Sequence, residues 1–134
     1  MPAWMVVVDE LREVVQQFPG EQDRKAATAR LLNLVTLTSK GRACGAVLLG
    51  ATQNPLADVV GRIRDNCGAT VCGWVRTETD AVTALGDLGR YLHPERIQVP
   101  GEAWIVPSGD IARGPFKARA RWLPDEAVRE LATR

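Results

Sequence analysis

The sequence predicts an α/β fold: parallel strands with flanking helices, closed by an antiparallel strand pair and a last helix. Three observations carry this. Two continuous apolar runs, "MVVV" from Met5 and "AVLLG" from Ala46, are short enough for strands and have the even apolar character of strands in a parallel sheet. Segments with helical apolar spacing separate the strand candidates. Near the end the period changes to two, where Phe116, Ala118, Ala120 and Trp122 alternate with Lys117, Arg119 and Arg121. A chain of 134 residues has the usual size of one domain, so residues 1–134 are read as a single unit.

In chain order, Met5–Asp9 reads as a buried strand and Glu10–Gln17 as the start of a helix, broken by Pro19 and Gly20. From Asp23 to Ser39 the residues Ala27, Leu31, Leu34, Val35 and Leu37 fall mostly at helical spacing, and Gly41 is the stop. "AVLLGATQ" (46–53) is a second strand, expected to be covered on both faces. "NPLADVVGRIRDNCG" gives a turn and a short helix, and "ATVCGWV" (69–75) a third strand. "TETDAVTALGDLG" is a helix capped by Thr77, with Asp80 three residues on. "GEAWIVPSG" and "PFKARARWL" form two strands, the second with one wet basic face. "LPDEAVRELATR" is a final helix with Pro124 in its first turn. Trp4, Trp74, Trp104 and Trp122 lie on or beside strands and are expected to pack on the sheets.

Composition excludes several classes. Charged residues make up 25% and the net charge is +1, so the whole-chain sum points to no particular partner. The C-terminal stretch from Ile111 is nonetheless rich in arginine. Cys44, Cys67 and Cys72 form no C-x-x-C and His93 is the only histidine, which argues against zinc and for reduced thiols in a cytosol. No leader-like segment opens the chain and no apolar run approaches a membrane span. A cytoplasmic location is expected.

The first strand ends in two adjacent carboxylates, Asp9 and Glu10. Neighbouring acids repel, and hard oxygen ligands at a strand tip suit Mg²⁺ with phosphates. An apolar strand ending in Asp-Glu has the form of a Walker B element, one acid on the metal side and the other on the attacking water. The second strand ends with Thr52 and Gln53. Ligands bind at that edge of a parallel sheet, and a neutral amide there can hold a phosphate oxygen or water.

These residues carry a resemblance. "VVVDELREVV", then "GRACGAVLLGATQNPLADVVGRIRDN", then a strand and a closing strand pair, resembles the FtsK/SpoIIIE family of DNA-translocating motor ATPases, from about Met5 to Leu131. "ATQNP" and "FKARARWLPDEAVREL" are most similar to actinobacterial conjugative Tra-type translocases; Asn54 stands where the chromosome-segregating branch usually has arginine. The resemblance implies a partial RecA-like P-loop NTPase core with ATP and Mg²⁺ as cofactors. It implies Asp9 as the Mg²⁺-shell acid, with Asp9 and Thr52 on the cofactor. Glu10 would be the catalytic carboxylate, Gln53 the γ-phosphate sensor, and Arg42 an arginine reaching a neighbouring subunit's nucleotide.

No G-x-x-x-x-G-K-[ST] occurs, and none of Lys25, Lys40 and Lys117 follows a glycine. The resemblance therefore covers the C-terminal half of the motor domain, from Walker B onward, and the family places its P-loop strand between the strands matching "AVLLGATQ" and "ATVCGWV". Expected partners are that missing N-terminal half or further copies, assembled as a ring in the full-length motor, whose relatives are often membrane-tethered. Double-stranded DNA without strong sequence preference would be gripped by Arg113, Lys117 and Arg119, in "DIARG" and "KARAR". The same cations also suit a solvated edge strand. Two readings of different class follow: a part of an ATP-driven double-stranded DNA translocase, inactive alone, or a non-catalytic interaction module that keeps the fold. A receiver-like domain phosphorylated on Asp9 fits less well, since the acid pair and lysine it needs elsewhere are absent.

Overall fold

The structure is a computed structural model that describes residues 4–17, 19–108 and 114–133. Strand β1 (Trp4–Val8) leads through helix α1 (Leu11–Val15) to the long helix α2 (Glu21–Lys40). A 3-10 turn (Gly41–Cys44) turns the chain into β2 (Ala46–Gly50), followed by α3 (Ala57–Arg64) and β3 (Ala69–Cys72). Then come α4 (Glu78–Leu85), the short α5 (Gly89–Leu92), β4 (Glu102–Pro107), β5 (Phe116–Arg119) and α6 (Asp125–Ala132). Thr77 and Asp80 make the reciprocal cap of α4 foreseen from their spacing.

The strands form two sheets. β1 and β2 pair in parallel, Trp4 opposite Ala46 through Val8 opposite Gly50. β3, β4 and β5 form a separate antiparallel sheet in that order. The α/β class and the closing hairpin are as predicted, but β3 does not join the parallel pair. Nothing among the described residues bridges β2 to β3, and the edge of β3 that is used belongs to β4.

The first core lies on one face of the parallel pair. Leu11 and Val15 of α1, Leu34 of α2, and Val59 and Ile63 of α3 are buried together, with Val8 and Leu48 packed against them. The stripe of α2 runs through Ala27 and Leu34 to Thr38, which stays buried by donating its hydroxyl to the Leu34 and Val35 carbonyls within the helix. Arg30 ties α2 to α1: its Nε donates to the Val14 carbonyl (2.5 Å) and its Nη2 to that of Gln16 (3.2 Å), capping the carbonyl end of α1. A second core, with Cys72, Ala81, Leu85 and Ile97, joins β3 to α4. Burial pushes the Cys72 thiol up to about 11, so it behaves as a small apolar side chain.

The other face of the parallel pair is bare. Met5, Val7, Val47 and Leu49 share it and are 67%, 63%, 49% and 56% exposed. Expected cover on both faces of β2 is therefore corrected to cover on one, because α1, α2 and α3 all pack on the same side. The tryptophans depart from expectation in the same way: Trp4, Trp74 and Trp122 are exposed, and only Trp104 is partly covered.

Candidate functional site at the strand tips

Parallel pairing in register brings the C-terminal ends of β1 and β2 side by side. The chain crosses between them by main-chain bonds, Ala51 N–H to the Val8 carbonyl (2.9 Å) and Leu11 N–H to the Ala51 carbonyl (2.7 Å). Gly50 leaves room for that leucine: a Cβ on it would stand 2.8 Å from Leu11 Cδ1 and would push the side chain aside. Leu11 thus folds over the end of β2 and anchors α1 in the core.

Between strand and helix sits Glu10, in the left-handed region at φ 57° and ψ 72°. That conformation costs a non-glycine residue on the order of 1 kcal/mol, and such strain concentrates where a side chain must be aimed. Here it aims the carboxylate at the tip of β2. Oε1 accepts from the Thr52 hydroxyl at 2.5 Å, and Oε2 accepts from the Gln53 main-chain N–H at 3.0 Å. The Thr52 hydroxyl in turn accepts from the Asn54 N–H at 3.3 Å. The hydroxyl of Thr52 first, and then the Gln53 N–H, hold the Glu10 carboxyl below its ordinary range. Since folding lowers its pKa, Glu10 adds stability at neutral pH that is lost as the pH falls through the folded value.

Asp9 behaves differently. It is exposed at the same tip and makes no hydrogen bond or ion pair among the described residues. The side chain of Gln53 is also exposed, its main-chain N–H spent on Glu10. The structure thus brings Asp9, Glu10, Thr52 and Gln53 to one edge. It does not bring Arg42 there. Arg42 stands in the turn before β2, at the opposite end of a strand about 13 Å long. From there it cannot serve the same tip within one chain.

The basic strand keeps Lys117 and Arg119 exposed on one face, as foreseen, but with neighbours that the sequence did not indicate. Lys117 lies over the Trp104 ring, its Nζ 5.2 Å from the centroid, and 3.9 Å from Glu102 Oε2. Arg119 pairs in register with Glu102. Lys117 and Arg119 therefore share a face with an acid and an aromatic ring, while Phe116, expected inside, is exposed. Arg113 lies outside the described residues.

A cleft of about 860 Å³ separates the two sheets. Its walls are the unpaired edges of β2 and β3, with Leu11, Val60, Ile63 and Arg42 between them. In a sheet covered on both faces one strand residue fills roughly 3.3 × 4.8 × 10 Å, or about 160 Å³. The cleft thus has room for a strand of about five residues, the length of β2. Sequence reading placed a missing strand here by resemblance; the volume and the two open edges are what the fold adds. No cluster of three His, Cys, Asp or Glu side chains is assembled for a metal among the described residues, and no described helix is long and apolar enough to cross a membrane.

Comparison with known proteins gives the same direction. No protein-family model matches the chain. It is similar to the DNA translocase FtsK of Caulobacter vibrioides, 31% identical over 138 residues, which cover 96% of this chain and 15% of that protein. The DNA translocase FtsK of Corynebacterium glutamicum is 30% identical over 128 residues, 95% of this chain and 12% of the relative. The chain therefore spans well under a fifth of the length of these relatives. Among solved structures it is similar to the pCW3 conjugation coupling protein TcpA, in a monomer form with ATPγS. The TM-score is 0.76 at 21% identity, covering 99% of this chain and 37% of that one.

Proposed function

We propose that this chain, an FtsK/SpoIIIE-type motor segment, supplies the Walker B half of an ATP-driven double-stranded DNA translocase. One observation carries the reading: Asp9, Glu10 and Gln53 meet at one strand edge, and Glu10 is hydrogen-bonded there to Thr52 and to the main chain of Gln53, 43 residues further along the sequence. A scaffold that only kept the fold would gain nothing from a strained glutamate and an unpaired aspartate at that edge.

The residues present fit Mg²⁺ with a nucleotide. Mg²⁺ keeps several waters and takes one or two carboxylates plus phosphate oxygens, and Asp9 offers one free carboxylate. Bound there, the metal would neutralise phosphate charge. Asp9 would hold its water shell. Glu10, fixed in place and ionised at neutral pH, would orient the attacking water and accept its proton. The exposed Gln53 amide would read the terminal phosphate, and Arg42 would act on a neighbouring copy's site in a ring. A P-loop-bearing segment would fill the cleft with its strand and lay its helix on the bare Met5, Val7, Val47 and Leu49 face.

The test is complementation. The 134-residue chain alone is expected to show no Mg²⁺-dependent ATP hydrolysis. Joined to the segment of Corynebacterium FtsK that precedes the matched region, it should hydrolyse ATP and melt at higher temperature. Turnover by the lone chain, or no association with that segment, would overturn the proposal.

DNA contact is proposed through phosphate, on the motor's cytoplasmic side, by Arg113, Lys117 and Arg119. Changing the three together to glutamine should weaken duplex binding by the completed motor about tenfold or more at low salt and reduce the slope of affinity against salt. Unchanged binding in a filter or anisotropy assay would assign these cations to protecting an edge strand.

A further inference from the structure

The motor reading gives Glu10 and Gln53 separate duties, yet the structure ties them together. Both oxygens of Glu10 are gripped by the dipeptide Thr52–Gln53: one by the threonine hydroxyl, the other by the glutamine's own main-chain N–H. The grip is directional. Glu10 reaches it from a left-handed backbone, and the Ala51 carbonyl and N–H hold the two strand tips in register on either side. Whatever moves the main chain at Gln53 therefore moves the carboxylate.

We propose that Thr52 is a positioning residue for Glu10, coupling the carboxylate to the strand tip that carries Gln53. Thr52 does not itself need to touch the reacting atoms. Its hydroxyl and the adjacent N–H form a two-point clamp that fixes the carboxylate plane beside Asp9. A shift of Gln53 towards a phosphate displaces the clamp, and Glu10 follows. The part of this concerning phosphate rests on the motor reading above; the clamp itself does not.

The test has two arms. In the 134-residue chain, amide hydrogen exchange by NMR reads the clamp directly. Gln53 N–H should be protected in the parent and lose about tenfold protection in Thr52→Val and in Glu10→Gln. Thr52→Ser should restore it. Ala51 N–H, bonded to the Val8 carbonyl, should keep its protection throughout and so report an intact sheet. Equal protection of Gln53 in the parent and Thr52→Val would overturn the clamp. In the completed motor, Thr52→Val should lower kcat about tenfold at unchanged KM for ATP, again with rescue by serine. A parent that turns over ATP with kcat unaffected by Thr52→Val would overturn the positioning role. A completed parent without turnover would instead count against the motor reading, and the exchange arm would still decide the clamp.

Discussion

Glu10→Gln should cut ATP turnover by the completed motor about 10²–10³-fold while leaving nucleotide binding within a fewfold. The expectation follows from what the substitution keeps and removes. Glutamine has nearly the same shape, and its carbonyl oxygen can still accept from the Thr52 hydroxyl. Its NH₂ group, however, would face the Gln53 N–H, a donor against a donor. The negative charge that accepts a proton from water is lost. Positioned general bases contribute typically 10²–10⁴-fold, so the range expected is the lower part of that interval, since orientation of the water survives in part. Asp9→Asn, by contrast, should act on Mg²⁺ dependence, because Asp9 is the free carboxylate at the tip and has no structural bond to lose. Radiometric or coupled ATPase assays with a Mg²⁺ titration separate the two. Turnover of Glu10→Gln within threefold of the parent would remove Glu10 from the chemistry and leave it the structural half of the clamp.

The sequence disclosed the parts of this site that are local. Apolar runs located β1 and β2, and parallel pairing then had to bring their ends together. The Thr77–Asp80 cap, the stop at Gly41 and the start of α6 at Pro124 were equally visible, because each depends on residues within one turn. What escaped was non-local. β3 follows a helix as a member of the parallel sheet would, but its partner is decided by which strand is available, and β4 is. The same holds for faces: the apolar residues of β1 and β2 imply two covers, and the chain supplies one. Phe116 and three tryptophans are turned outward on or beside these sheets, where periodicity cannot say what covers them. The role of Thr52 as partner of Glu10 was missed, although a hydroxyl at the tip of a strand adjacent to one ending in an acid was a signal. Between Gly86 and Arg96 the two 3-10 turns and α5 follow no helical period long enough to register.

One of those short pieces sets the largest expected loss of stability. Gly89→Ala should lower stability by about 3 kcal/mol or more, near the upper end of what overpacking a core costs. A Cβ at position 89 would lie 2.4 Å from the Ala81 carbonyl carbon and oxygen and 2.6 Å from the Val82 nitrogen. All three are main-chain atoms of a helix, so no rotamer change relieves the clash; α5 must lift away from α4. Ala81 is fully buried there and Leu85 nearly so, so the lift would open the second core that holds β3. In a domain of this size the loss corresponds to roughly 10 °C in Tm. Gly61→Ala is the matched contrast. Gly61 is also helical, but nothing lies within 4 Å of its added Cβ, so better helix propensity should stabilise by about 0.5–1 kcal/mol. Opposite signs for the same chemical change, read by thermal or urea unfolding, would show that α5 rests on the backbone of α4. Equal effects would mean that the α4–α5 contact yields, and that the β3 side of the cleft is held by β4 alone.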